Sequence, residues 1–179
     1  MKKIIVSLLV FVLICSTMPF TAFATVRYTY TSEWCYNLEN GGVYIDSYLK
    51  NTDSDTFIIP DSIDGYPVIG IVGLNLNEEN VVKTVIIPQT VKFIDGSVND
   101  RSCNLEQILV NENNPYFCSV DGVVYDKEMT TIYLVPSGRT GVFVIPDSVQ
   151  HINPFAFDSC SKLEKVILPN TMISIGQFA

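Results

Sequence analysis

The chain is poor in the residues that carry most catalysis and anion binding. It has a single histidine, a single tryptophan, and 11 basic residues against 19 acidic ones, for a formal net charge of −8. One histidine leaves no imidazole pair for a metal, and any Ser-His-Asp or Cys-His arrangement would have to use His151. His151 lies between the apolar Val149 and Ile152 in a turn segment, where it reads as a partly exposed structural residue. The shortage of cations argues against nucleic acid and anionic membrane as partners. No glycine-rich phosphate loop is present, since Gly70-Ile71-Val72-Gly73 is too short. No second apolar run of membrane-spanning length follows the N-terminus, and there is no sortase-type motif or dockerin-like repeat.

Two apparent motifs dissolve on inspection. Asn51-x-Asp53-x-Asp55 opens like a calcium loop, but Thr56 and Ser62 stand where glycine and glutamate are needed, so a solvated turn is expected. Ser159-x-x-Lys162 matches a penicillin-binding pattern. Its partner motif, Arg139-Thr140-Gly141, precedes it in the wrong order, so the match reads as chance. No enzymatic activity, metal or cofactor is expected.

Residues 1–24 read as a secretory signal: Lys2 and Lys3, an apolar stretch from Ile4 to Phe20, and the small-x-small site Ala22-Phe23-Ala24. The competing reading is an uncleaved anchor. A lipoprotein signal is disfavoured because Ile14, not a small residue, precedes Cys15. Without Lys2 and Lys3, 9 basic residues face 19 acidic ones, a net of −10. The four remaining cysteines, Cys35, Cys103, Cys118 and Cys160, show no zinc spacing. Secretion permits disulfides, and Cys35–Cys118 is conceivable, whereas Cys160 reads as a buried free thiol. Cys103 is one position off the matching slot, which Ser102 occupies.

What the chain has in quantity is a repeat. Short apolar strands ending in proline recur as Phe57-Ile58-Ile59-Pro60, Val85-Ile86-Ile87-Pro88, Phe143-Val144-Ile145-Pro146 and Val166-Ile167-Leu168-Pro169. Ile108-Leu109-Val110-Asn111 is a worn copy. The step from Pro88 to Asn111 equals the step from Pro146 to Pro169. The interval after Pro60 is 5 longer and that after Asn111 is 12 longer. A fixed period of this length predicts stacked units, none of which can bury its apolar face alone.

Within each unit the proline ends the strand, and a polar turn pair follows, such as Asp147-Ser148. Two inward residues come next: Val68 and Ile71, Val91 and Ile94, Val149 and Ile152, Met172 and Ile175. Asp95, Asn153 and Gly176 then suit a left-handed corner. Phe155 to Leu163 is expected to form a short helical or 3₁₀ turn burying Phe157, Cys160 and Leu163. The longer interval reads as a hairpin insertion at about 118–136, with Val123-Val124-Tyr125 and Thr131 to Val135 around Asp126 to Thr130. Residues 25–55 read as N-terminal cap strands, and residues 56–179 as a solenoid of about five rungs with an incomplete last repeat.

These residues resemble the bacterial BspA-like leucine-rich repeats. The stretch Ile145 to Leu163 follows that family's pattern with one clear departure, Asn153 in place of glycine. Asn114-Pro115-Tyr116, Asp121 to Tyr125 and Thr130-Thr131-Ile132 are similar to its hairpin insertion, and Ile63 to Val68 to its first repeat. The resemblance covers about residues 43–179. It implies an α/β fold leaning to β: a solenoid with one parallel sheet, and short helical or 3₁₀ turns on the other side. It also implies a secreted or surface-displayed bacterial binding protein, often adhesive, with no transferable catalytic residues.

Strand alternation places one residue of each copy outward between two inward ones. Ile58, Ile86, Leu109, Val144 and Ile167 would then stack into a continuous apolar ribbon, rimmed by Thr56, Thr84, Gln107, Val142 and Lys165. An apolar stripe with a polar rim is a candidate interaction site, although apolar residues also simply favour sheets. The expected function is an extracellular protein-binding or adhesion module using this face. The alternative is a scaffold module, or a fragment of a longer surface protein, that associates through its open C-terminal repeat.

Overall fold

The computed structural model describes residues 28–50, 52–76, 81–95, 98–100 and 104–179. The expected signal at 1–24, together with Asn51 and Cys103, lies outside them. The chain opens with an antiparallel meander of β1 (Tyr28–Tyr30), β2 (Trp34–Glu39) and β3 (Gly42–Tyr48). It continues through β4 (Thr56–Ile58), β5 (Ser62–Ile63), β6 (Tyr66–Leu76), β7 (Thr84–Ile87), β8 (Phe93–Ile94), β9 (Val98–Asp100) and β10 (Gln107–Val110). A second meander follows, comprising β11 (Phe117–Val120), β12 (Val123–Asp126) and β13 (Thr131–Leu134). The last strands are β14 (Gly141–Val144), β15 (His151–Ile152), β16 (Leu163–Ile167) and β17 (Ser174–Ile175).

The chain winds so that successive repeats pair in parallel on two sides of one core. On one side β4, β7 and β10 stack, and further on β14 and β16. On the other side β3, β6 and β8 stack, and then β13, β15 and β17. The inward residues expected from alternation fill the space between. Val85, Ile87, Ile108, Val91 and Val149 are almost wholly buried. Each contributes about 1.5–3 kcal/mol by leaving water. The core divides into an N-terminal cluster reaching from Trp34 to Leu134 and a C-terminal one centred on Tyr125, Phe143, Ile145 and Ile152.

Two expectations fail. Among the described residues, the single parallel sheet is replaced by four sheets of seven, three, five and two strands. The reason is that the Val-x-x-Ile segments end extended and build ladders of their own, Ile94 opposite Ile71 and Ile175 opposite Ile152. The α/β character and the helical turns are also not found: among the described residues there is no helix, and the fold is mostly β. Phe155 and Ser159 have φ of 59° and 60°. A left-handed residue interrupts any right-handed run. The Phe155-to-Leu163 segment therefore closes through separate i→i+3 bonds, Asp158 N–H to Phe155 C=O at 3.0 Å and Cys160 N–H to Phe157 C=O at 3.1 Å.

The left-handed corners also move. Among the described residues the positive-φ positions include Phe155 and Phe178, one repeat period apart, but not Asp95, Asn153 or Gly176. The Phe155 and Phe178 rings stack at 5.4 Å. Gly176 serves another need, since a Cβ there would stand 2.3 Å from Pro154 N. Rungs thus touch backbone to backbone at that point. The polar turn residues bond between rungs as well. Thr171 Oγ1 donates to Asp147 C=O at 2.8 Å or Val149 C=O at 3.0 Å, one rung back.

Candidate binding face

The register of the outer strands fixes which side chains adjoin. Ile86 lies opposite Ile58 on one side and Leu109 on the other, with Thr84 opposite Thr56 and Gln107. Val144 lies opposite Ile167, and Val142 opposite Lys165. Ile58 is 65% exposed, Val144 61% and Ile167 39%. Ile86, Leu109 and Thr84 are half-buried, and Gln107 and Lys165 are exposed. Lys83 and Glu106 form an exposed ion pair at 3.0 Å beside the Thr84–Gln107 row.

The ribbon is not continuous. Ile58, Ile86 and Leu109 form one apolar patch, and Val144 and Ile167 a second. β10 does not pair with β14; Ile108 N–H instead donates to Gly122 C=O at 2.9 Å. The Asp121-Gly122 turn joining β11 to β12 is thereby held against the edge of β10, so close that a Cβ on Gly122 would lie 3.2 Å from Gln107 Cα. A short Asp-Gly turn with both residues at positive φ suits this tight hairpin. Arg139 secures the wedge. Its Nη2 meets Asp121 Oδ2 at 2.6 Å and its Nη1 donates to Asp121 C=O at 2.9 Å, while its guanidinium lies 4.5 Å from the centre of the Phe143 ring. An ion pair thus stands beside Phe143 of β14.

Sequence reasoning placed Asp121 and Gly122 in the hairpin insertion but missed their docking on β10 and the part played by Arg139. The Asp-Gly dipeptide marks a turn, but nothing in the spacing says that the turn docks between two outer strands.

The groups considered for chemistry lie apart. His151 Nδ1 is 2.8 Å from Ser174 Oγ on the neighbouring rung, as suits a structural side chain. Cys35 and Cys118 are not joined to each other, so the Cys35–Cys118 pairing is absent. Cys160 is only half-buried, with its Sγ 3.6 Å from Val135 C=O. Burial pushes the Cys118 thiol up, away from the reactive thiolate form. Among the described residues no three of His, Cys, Asp or Glu are placed to hold a metal, and no helix is long and apolar enough to cross a membrane.

Residues 139–179 match the family described as BspA type Leucine rich repeat region (6 copies). Among solved structures, a leucine-rich repeat protein from Eubacterium ventriosum aligns over 84% of this chain and 61% of its own at 17% identity, with a TM-score of 0.54. At that identity the likeness concerns the fold. A leucine rich cell surface protein from Faecalibacterium prausnitzii aligns over 87% of this chain and 46% of its own, at 18% identity and a TM-score of 0.49. The pneumococcal vaccine antigen PcpA aligns over 85% and 67%, at 13% identity and 0.45. The chain thus spans less than two thirds of the first of these proteins. No curated protein matches it.

Proposed function

We propose that this chain, which carries BspA-type leucine-rich repeats, is a secreted or cell-surface bacterial module that binds a protein through its outer strand face. The observation that carries the reading is the Ile58–Ile86–Leu109 patch, three apolar side chains in register on adjacent strands, bordered by Thr84 and Gln107. Water-exposed apolar clusters of this kind are what a protein partner desolvates. The acidic balance disfavours nucleic acid and anionic membrane. The surface description of the Faecalibacterium protein belongs to that protein; the extracellular placement of this one rests on its N-terminal signal pattern.

The test uses the chain beginning at Thr25 and a panel of immobilised matrix and host-surface proteins. Saturable binding to at least one is expected. Ile58→Asp combined with Ile86→Asp should lower it at least tenfold while circular dichroism stays native. Binding unchanged in the double variant would remove this face from the function, and no binding to any of the panel would remove the adhesive reading.

A further inference from the structure

The seven-stranded sheet turns a second face to solvent, on the side of the core away from the outer strands. Ile45, Ile71 and Ile94 lie opposite one another on β3, β6 and β8 and are buried. The residues flanking them in the chain therefore point outward. One outward row runs through Tyr44, Gly70 and Phe93. The Tyr44 ring takes the space above Gly70, where a Cβ would stand 2.2 Å from Tyr44 Cδ1. The Phe93 ring lies alongside it, 23° from parallel with the centres 6.0 Å apart. Phe93 is 52% exposed.

The next outward row is acidic. Asp46, Val72 and Asp95 each follow one of the inward isoleucines, and Asp95 N–H continues the ladder by donating to Ile71 C=O at 3.0 Å. Val72 and Asp95 are exposed and Asp46 is half-buried. Neither carboxylate forms an ion pair with another described residue. The repeat itself does not impose this combination. In the five-stranded sheet the residues before the inward isoleucines are Thr131, His151 and Ser174, and those after Ile132 and Ile152 are Tyr133 and Asn153. No carboxylate stands in either row there. An open ring beside carboxylates is thus particular to the β3–β6–β8 face.

We propose that this face binds a cationic segment of a protein partner, with an arginine side chain lying over Phe93 and reaching Asp95 or Asp46. A guanidinium is drawn to the ring and to the carboxylate at once, since it stacks on aromatic faces and pairs with carboxylates through two parallel N–H groups. The excess of 19 acidic over 11 basic residues attracts a basic partner from a distance and repels an acidic one. A second copy docked face to face would set carboxylate against carboxylate, and a neutral glycan would leave both charges unanswered. The face lies across the core from the Ile58–Ile86–Leu109 patch, so the proposal stands whether or not that patch binds a protein.

A nuclear magnetic resonance titration tests this, using the chain beginning at Thr25 and an acetylated, amidated hexapeptide of alternating arginine and glycine, in about 0.15 M salt. Saturable shifts are expected at Tyr44, Val72, Phe93 and Asp95. Phe93→Ser and Asp95→Asn should each weaken binding about fivefold with native circular dichroism, and the second serves if the first does not fold. Asp147→Asn removes an exposed carboxylate from the other half of the chain and should leave binding unchanged. Absence of saturation, or unchanged affinity in both face variants, would overturn the proposal. So would an equal loss in Asp147→Asn, which would mean that net charge alone attracts the peptide. Shifts at Tyr44 and Phe93 that appear with a neutral glucose hexamer and not with the peptide, or on raising the protein concentration alone, would give the face to another occupant and overturn it too.

Discussion

Tyr36 shows how far a single residue's surroundings depart from its sequence context. Its ring is buried under the first rung, and its hydroxyl donates to Asp64 Oδ2 at 2.8 Å. Burial first, then that hydrogen bond and the Asp64 charge, push its pKa up to about 12. The neutral phenol is therefore favoured in the folded state. Its contribution is complete below the ordinary value of 10.0 and is lost as pH rises from there towards about 12. An ultraviolet titration of the nine tyrosines should show one late phenolate near pH 12, absent in Tyr36→Phe. A wild-type curve complete by pH 11 would contradict this environment. The sequence hid the pair because Tyr36 and Asp64 are 28 positions apart, and because Asp64 reaches the ring only through a left-handed turn, at φ of 53°.

Between elements, the rungs are tied by polar side chains that no apolar pattern discloses. Asn114 is fully buried in the loop after β10. Its Nδ2 donates to Pro88 C=O at 3.0 Å and Val91 C=O at 2.9 Å, fastening this loop to the turn of the preceding rung. Its Oδ1 accepts from Tyr116 N–H and Phe117 N–H at 2.8 and 2.9 Å. Asn114→Ala strands these buried groups and should cost about 3 kcal/mol, read as a lower midpoint in urea at unchanged slope. A loss below about 1 kcal/mol would mean that the loop finds other partners. The inward rows were legible, because Val85 and Ile87, or Val149 and Ile152, follow from alternation and spacing alone. The docking of Asp121-Gly122 on β10 was not, because it depends on the Ile108 N–H bond to Gly122 C=O and on Arg139 reaching Asp121, which no apolar spacing discloses. Nor was the failure of the helical turn, since Phe155 is a bulky residue that ordinarily avoids the left-handed region.

At the scale of the whole molecule, stability should vary along the solenoid axis. Each rung contacts chiefly its neighbours, so local opening is governed by how many sides are covered. Amide exchange should be slowest in β6, β7 and β10, whose core residues are fully enclosed, and fastest in β17, where Ile175 lies open. Uniform protection from β7 to β17 in dilute solution would mean that the rungs open as one unit. The aromatic closure by Trp34, Tyr48 and Phe57 bears also on the order of events during synthesis. This cap leaves the ribosome before any complete rung, so a finished template awaits each new repeat. Folding is thereby given a direction, and at every moment the newest turn of the chain is the one still looking for a surface to lie on.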